Sequence, residues 1–361
     1  MRRTIIGRQS FTGRGALSNP PGRFDKQQLE QVDDGWYEEE VSASIPTTLE
    51  PDRAREVITT NDSPDIPFEQ SINPYRGCET ACVYCYARPS HAYMGLSPGL
   101  DFETRLFYKA DAAKVLEAQL ARPAYICKSI TLGANTDPYQ PVERRMKVTR
   151  SILEVLARTR HPVTIITKHA LVLRDLDLLT DMARDGLVSV AVSVTTLDAE
   201  LKRVMEPRAA SPQARLRTLA ALSAAGVPTS VMAAPMIPAL NDQELEAILE
   251  AAAAAGARWA GYVLVRLPYE IKDLFREWLA EHYPDRAAHV MSLIRDMRGG
   301  RDYDPRFGTR MRGTGPYAQL LGNRFRLACR RLNLNSQPRA PLDTTLFRPP
   351  GRAGAQLQLS L

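Results

Sequence analysis

The feature that most constrains this chain is an alternation running from residue 71 to residue 268. Six short apolar runs rich in β-formers recur there: "SINPY" (71–75), "SITLGA" (129–134), "PVTIITK" (162–168), "LVSVAVSVTT" (187–196), "VPTSVMAAPMI" (227–237) and "GYVLVRLP" (261–268). Between the later runs lie texts with helical spacing, "VTRSILEVLARTR", "RDLDLLTDMARDG", "PQARLRTLAALSAAG" and "NDQELEAILEAAAAAGA", several closed by a glycine. Strand and helix in alternation predict a βα repeat and a parallel sheet. Six units are too few to close an eight-stranded barrel. The expected fold is therefore α/β: a partial (βα)6 parallel barrel, with a doubly wound open sheet as the alternative. Either architecture builds its site from the loops at the carboxyl ends of the strands.

Around this core, residues 1–70 mix Gly, Pro, Asn and charges without periodicity, as in "FTGRGALSNPPGRF", and are expected to form an irregular N-terminal extension. Residues 269–335 carry helical text such as "IKDLFREWLAEHY" and form a basic helical region, and 336–361 are expected to be a frayed tail. With 361 residues and 44% hydrophobic content, the chain can fill one large barrel core. It has no apolar run of about eighteen residues and no apolar h-region near its start, so it is expected to be soluble, unsecreted and cytoplasmic. Arg2, Arg3, Arg8, Arg14 and Arg23 precede the first acid, Asp25, but this stretch lacks the helical apolar stripe of an organellar transit peptide.

Five cysteines in such a chain make a poor disulfide framework, and a tight cluster in a reducing compartment more often binds metal or does redox chemistry. Three of them stand in "YRGCETACVYCYA" (75–87), where Cys78, Cys82 and Cys85 follow the spacing C-x3-C-x2-C. A zinc site would need a fourth ligand from Cys127, Cys329 or a distant histidine, and His91, His161, His169, His282 and His289 show no ligand spacing. Three buried, inert thiols would be out of place in so polar a loop. An iron–sulfur cluster on three thiolates would leave one iron open to an outside ligand.

At these residues the chain resembles the radical S-adenosylmethionine (SAM) superfamily, whose C-x3-C-x-aromatic-C loop follows a first strand in a βα-repeat chain. The resemblance covers residues 70 to 268 and places Tyr84 at the aromatic position. It implies a [4Fe–4S] cluster on Cys78, Cys82 and Cys85, with the amino and carboxylate groups of SAM chelating the open iron. An electron then cleaves SAM into methionine and a 5′-deoxyadenosyl radical, which also implies an external electron donor such as flavodoxin or ferredoxin. The cofactor carries the difficult chemistry while the protein fixes geometry and excludes water.

Further polar clusters end the other strands. In "GANTDPYQPVE" (133–143), Asn135, Thr136, Asp137 and Glu143 offer acceptors for the SAM ammonium, the bland alternative being an Asx-Pro turn. Ser193, with Thr195 or Thr196, and Glu206 suit ribose hydroxyls, and Arg208 suits the methionine carboxylate, against helix capping and a surface ion pair. Met236, Ile237 and Pro238 are expected as an apolar platform under adenine, Asn241 or Asp242 as a helix cap, and Lys168 or His169 as residues within reach of the cleft.

The pairing of "TDPYQPVE" with "EPRAASPQARL" and "GVPTSVMAAPMIPALND" resembles the branch related to spore photoproduct lyase, a DNA-repair enzyme. Uncharacterised bacterial members of that branch share a "GRGALSNPPGRF"-type segment. One departure stands out: the lyase has a hydrogen-donating cysteine near the end of the second strand, where this chain has Ala134 and Asn135. Cys127 and Cys329 are expected to be plain core or surface thiols. From Arg298 to Arg331 nine arginines face two aspartates, with Tyr303, Phe307, Tyr317 and Phe325 among them. Nucleic acid is accordingly an expected partner through Arg310, Arg312, Arg324 and Arg326, against a solvated appendage packed on the barrel. The expected function is a radical SAM enzyme acting as a DNA-repair lyase does. The alternatives are radical chemistry on a small molecule or peptide, and a non-catalytic iron–sulfur or zinc protein.

Overall fold

The computed structural model describes residues 10–25 and 44–351. Arg2, Arg3 and Arg8, and residues 352–361 of the expected tail, lie outside the described residues. Among the described residues the elements open with β1 (Thr48–Pro51), β2 (Ile58–Thr60), β3 (Gln70–Ile72) and β4 (Tyr75–Arg76), followed by the helix α1 (Leu100–Thr104) and β5 (Arg105–Tyr108). A small three-stranded sheet runs in the order β1-β5-β4, with β1 parallel and β4 antiparallel to β5.

The repeat proper starts at β3. It continues through α2 (Ala112–Leu120), β6 (Ile130–Leu132), α3 (Glu143–Met146), α4 (Val148–Arg158), β7 (Val163–Thr167) and α5 (Leu176–Arg184). Next come β8 (Val188–Ser193), α6 (Ala199–Met205), α7 (Pro212–Ala224), β9 (Thr229–Met236), α8 (Leu245–Ala254) and β10 (Trp259–Leu264). Each of the six expected strands forms. Their order in space is β10-β9-β8-β7-β6-β3, every neighbour parallel, and β2 adds antiparallel to the outer edge of β3. Chain order and spatial order coincide, whereas a doubly wound sheet reverses at a switch point. The architecture is thus an open partial barrel of six parallel strands.

Register places Ile72, Leu132, Ile165 and Val190 in one row across four strands, and all four are fully buried. Burying such a side chain contributes about 2 kcal/mol relative to leaving it in water. All six residues of β8 are buried, as in a strand covered on both faces. The glycines after α5, α7 and α8 stop those helices. Gly186, Gly226 and Gly256 take φ of +68°, +78° and +89°, and the amide following each bonds back to Met182, Leu222 and Ala252 at 2.9–3.0 Å.

Three helices follow the barrel: α9 (Ile271–His282), α10 (Pro284–Asp296) and α11 (Gly315–Arg331). Phe275, Trp278, Val290 and Ile294 of α9 and α10 share a buried core with Val83 of the cysteine loop and Met205 of α6, so these helices cover the cysteine side of the barrel. α11 packs on α8. The tail expected to be frayed is laid against the barrel over 336–351. The Asp343 amide donates to Gly186 O (3.2 Å), the Arg348 amide to Thr159 O (2.8 Å), and Phe347 packs on Tyr125 and His161. Those contacts lie just before β7 and β8, at the end of the sheet opposite the cysteine loop.

Candidate active site

The cysteine loop leaves β4 and is held by backbone bonds from several directions. The Cys78 amide donates to Phe102 O (2.9 Å), the Val83 amide to Met205 O (3.2 Å), and the Cys85 amide to Cys82 O (3.3 Å). Arg88, fully buried, donates from Nε to Cys82 O at 2.9 Å. Gln140, also fully buried, accepts from the Glu79 amide (2.8 Å) and donates to Gly77 O (3.2 Å), clipping the loop to the end of β6. The Sγ of Cys78 lies 3.2 Å from Thr80 Oγ1, which is 2.9 Å from His169 Nε2 at the end of β7.

All three thiols are free. Burial pushes the Cys78 thiol up to about 12, with Asp137 adding to it. Burial also raises Cys82, followed by Glu206, while Lys168 pulls it back down. For Cys85 burial again dominates, opposed by the cations of Arg88 and Lys168. The three cysteines thus lie within reach of one another's charge, and Lys168 faces two of them. Among the described residues no three His, Cys, Asp or Glu side chains are grouped to hold a single metal ion. A tetrahedral zinc would need thiolates about 3.8 Å apart, from Zn–S bonds of about 2.3 Å. A [4Fe–4S] cluster instead takes each thiolate on a different iron, which requires them to be spread. The donor set fits the cluster, and Lys168 with Arg88 favours its anionic thiolates.

Behind the loop, Glu206 is completely buried. It accepts from Thr195 Oγ1 (2.7 Å), from the Tyr84 hydroxyl and from the buried Arg215, with Lys168 Nζ at 4.0 Å. Burial works to raise its carboxyl, but Arg215, Lys168 and the Tyr84 hydroxyl outweigh it and hold the group at about 2. Arg215 also donates to Ser193 O (3.1 Å) and Ala210 O (2.9 Å), so it ties β8 to the loop that carries Glu206.

These contacts revise the expected SAM contacts. Glu206 is spent on Arg215 and Tyr84 rather than open to ribose hydroxyls. Tyr84 points inward to Glu206. Both oxygens of Glu143 are taken, Oε1 by Arg174 (2.7 Å) and Oε2 by the Thr149 amide (3.0 Å) and the Tyr75 hydroxyl. Asp137 accepts from Thr167 Oγ1 and the Lys168 amide (2.7 Å each) and from the Tyr139 amide (2.9 Å). Neither carboxylate is left for an ammonium. Arg208 pairs with Glu79 at 3.0 Å, beside Cys78. Asn135 is half-buried and receives no such demand on its side chain, its amide donating to Asn73 Oδ1 (3.0 Å). Met236, Ile237 and Pro238 are buried in the core instead of forming an open platform. Asn241 ties the turn together through Ile237 N, Thr195 O and Pro235 O, and Asp242 accepts from Tyr317 on α11 (2.6 Å); Asn241 stands at the N-cap of the short helical turn Asp242–Glu244 but makes no side-chain cap bond to it.

Two cations at strand ends border the cysteine side. Lys168 follows β7, and Arg266 follows β10 with its guanidinium 5.1 Å over the Tyr86 ring and its buried Nε without a hydrogen-bond partner. Arg266 carried no signal in the sequence beyond its place after a strand. Gln140 and Arg215 stood inside the quoted motifs "TDPYQPVE" and "EPRAASPQARL", where the polar residue type was the available clue.

The sequence model of the Radical SAM superfamily matches residues 72–252, from the first repeat strand through α8. The chain belongs to the radical SAM superfamily. It therefore uses a [4Fe–4S] cluster and SAM. An uncharacterized protein of Mycobacterium tuberculosis is 40% identical to this radical SAM chain over 232 residues, 64% of this chain and 68% of the relative. An uncharacterized protein of Methanocaldococcus jannaschii is 30% identical over 173 residues, covering 48% and 62%. Among solved structures, spore photoproduct lyase complexed with dinucleoside spore photoproduct superposes with a TM-score of 0.57 over 79% of each chain, at 16% identity. A mutant of that lyase with bound SAM gives 0.52 over 79% and 78%, at 15% identity. At that identity the likeness establishes the fold.

Proposed function

We propose that this radical SAM protein cleaves SAM reductively and directs the resulting radical at a nucleic acid or nucleotide-like substrate. When bound, the cluster and SAM supply a 5′-deoxyadenosyl radical. The chain's own contribution is positional. Gln140, Arg88 and the Phe102 carbonyl hold the cysteine loop, and Arg266 offers a cation for the SAM carboxylate in place of Arg208, which Glu79 engages, while Lys168 stands 4.0 Å from Glu206. The helices α9 and α10 screen the loop from water.

The observation that carries the substrate class is the exposed basic face after the barrel, on a fold shared with a lyase solved with a dinucleoside. Of the four arginines expected to meet phosphate, two are engaged by carboxylates within the chain. Arg310 forms a fork with Asp65, and Arg324 with Glu246. Arg312 and Arg326 are exposed, as is the Phe307 ring under Arg310, whereas Arg330 and Arg331 adjoin Cys329 at the far end of the sheet. Thymine-dimer reversal through a cysteine donor is not supported. Cys127 precedes β6, and Cys329 contacts Asn335, whose amide bonds to Arg258 just before β10; both thiols stand at the end of the sheet opposite the site.

The test is a titration with labelled single-stranded and duplex DNA at several salt concentrations. Binding should weaken with a log–log slope of about −0.7 to −0.9 per phosphate neutralised, and Arg312→Gln/Arg326→Gln should flatten it by about one to two units. Arg310→Gln and Arg324→Gln should change it less. No affinity at about 150 mM salt, or binding indifferent to salt, would move the search to small molecules and peptides.

A further inference from the structure

The barrel chemistry leaves one quoted motif unexplained, the "GRGALSNPPGRF" segment at 13–24. It lies across the cysteine loop. A Cβ placed on Gly15 would stand 2.0 Å from Ala81 O and 3.3 Å from Val83 N, so the two backbones touch with no room for a side chain. Ala81, between two of the three cysteines, has φ +59°, a left-handed conformation that an alanine keeps only when its surroundings impose it.

The segment is itself anchored. The Gly15 and Ala16 amides donate to the two oxygens of the fully buried Glu103 (3.0 and 2.8 Å). Glu103 pairs with Arg88, whose other donors go to Cys82 O, Gly99 O (2.9 Å each) and Pro98 O (3.2 Å). Arg14 donates to Glu103 O (2.9 Å), Ile45 O (2.6 Å) and Thr47 Oγ1 (3.0 Å). Thr47 in turn donates to Glu79 Oε1 (2.6 Å), the carboxylate that also holds Arg208. Residues from two sides of the loop, 79 and 82, are thereby tied to one segment from the N-terminal extension.

We propose that residues 13–16 are a positioning strap that sets the spacing of the loop thiols before iron is bound, with Gly15 as the contact and Arg14 and Glu103 as its fastenings. The proposal rests on Cys78, Cys82 and Cys85 being the cluster ligands, and its test separates the two ideas. In the iron-free, reduced protein, the alkylation rate of each cysteine by iodoacetamide is followed by peptide-resolved mass spectrometry. The variants are Gly15→Ala, Arg14→Ala and Arg14→Lys, with Leu219→Ala in the barrel core as an equally destabilised control. Loosening the strap should speed labelling of Cys78 and Cys82 about tenfold in Gly15→Ala or Arg14→Ala, less in Arg14→Lys, and not at all in Leu219→Ala below its melting range. The reconstituted variants should also show a shifted cluster midpoint potential and altered electron paramagnetic resonance on adding SAM. Unchanged labelling in both Gly15→Ala and Arg14→Ala, or equal acceleration in Leu219→Ala, overturns the strap. Faster labelling in a protein whose wild-type form takes up no iron would keep the strap and refute the ligand assignment. If Gly15→Ala fails to fold, Arg14→Ala, which adds no steric conflict, decides alone.

Discussion

Removing one partner of the buried Glu206–Arg215 pair strands a charge in the barrel wall, a loss of about 3–5 kcal/mol. Arg215→Met should therefore lower the unfolding free energy by about that amount in denaturant melts, and Glu206→Gln/Arg215→Met should recover at least half of it. Additive losses in the double variant would contradict the pairing. At this scale the sequence is readable where chemistry is local. The three cysteines declare themselves because their spacing lies within eight residues of one loop. Glu206 and Glu143 mislead because a carboxylate at a strand end looks available until its partners are known, and Arg174 stands 31 residues from the Glu143 it neutralises. Gln140, Arg88 and Glu103 hold the loop through contacts that only folding creates.

At the scale of elements, the repeat strands and the glycine stops were legible because period and turn chemistry are carried by adjacent residues. The small β1-β5-β4 sheet and β2 were not, since strands of two to four residues have no period to read. Among the described residues other helix ends depart from the glycine pattern, and after α11 the left-handed residue is Asn333 with φ +58°. After α4, Arg160 occupies the left-handed position with φ +50°, and the His161 amide bonds to Leu156 O (2.8 Å) as in the glycine-closed ends. A non-glycine residue there costs about 1 kcal/mol, and its ion pair with Asp185 at 3.0 Å is too exposed to offset much of that. Arg160→Gly should raise the unfolding free energy by up to about 1 kcal/mol, whereas Gly226→Ala should lower it by a similar amount. A destabilising Arg160→Gly would show that the arginine contacts matter more than the backbone.

For the whole molecule, the basic C-terminal region illustrates how composition misleads: nine arginines read as one electrostatic face, yet Arg310 and Arg324 serve to fasten that region to the barrel. The docked tail bears on stability as well. His161, under Phe347, has its Nε2 2.7 Å from the Tyr125 hydroxyl, and burial lowers its pKa to about 4; His91 is lowered to about 4 for the same reason. Both groups bind protons more readily in the unfolded chain, where the ordinary value is 6.5. Their stabilisation is thus present above about pH 6.5 and lost as pH falls towards 4, by about 1.4 kcal/mol per pH unit for each histidine. His161→Gln should remove one share of that slope in denaturant melts between about pH 6 and pH 4.5, and an unchanged slope would mean that His161 is not held neutral.

The central claim is that Cys78, Cys82 and Cys85 carry a [4Fe–4S] cluster that cleaves SAM. The direct measurement is anaerobic reconstitution followed by quantification of iron and of 5′-deoxyadenosine formed from SAM with a reductant. Wild type and the Cys127→Ala and Cys329→Ala variants should hold about four irons per chain and form the nucleoside, while Cys82→Ala should do neither. A cluster-loaded wild type that leaves SAM intact, or a Cys82→Ala protein that keeps its full iron, would contradict the account.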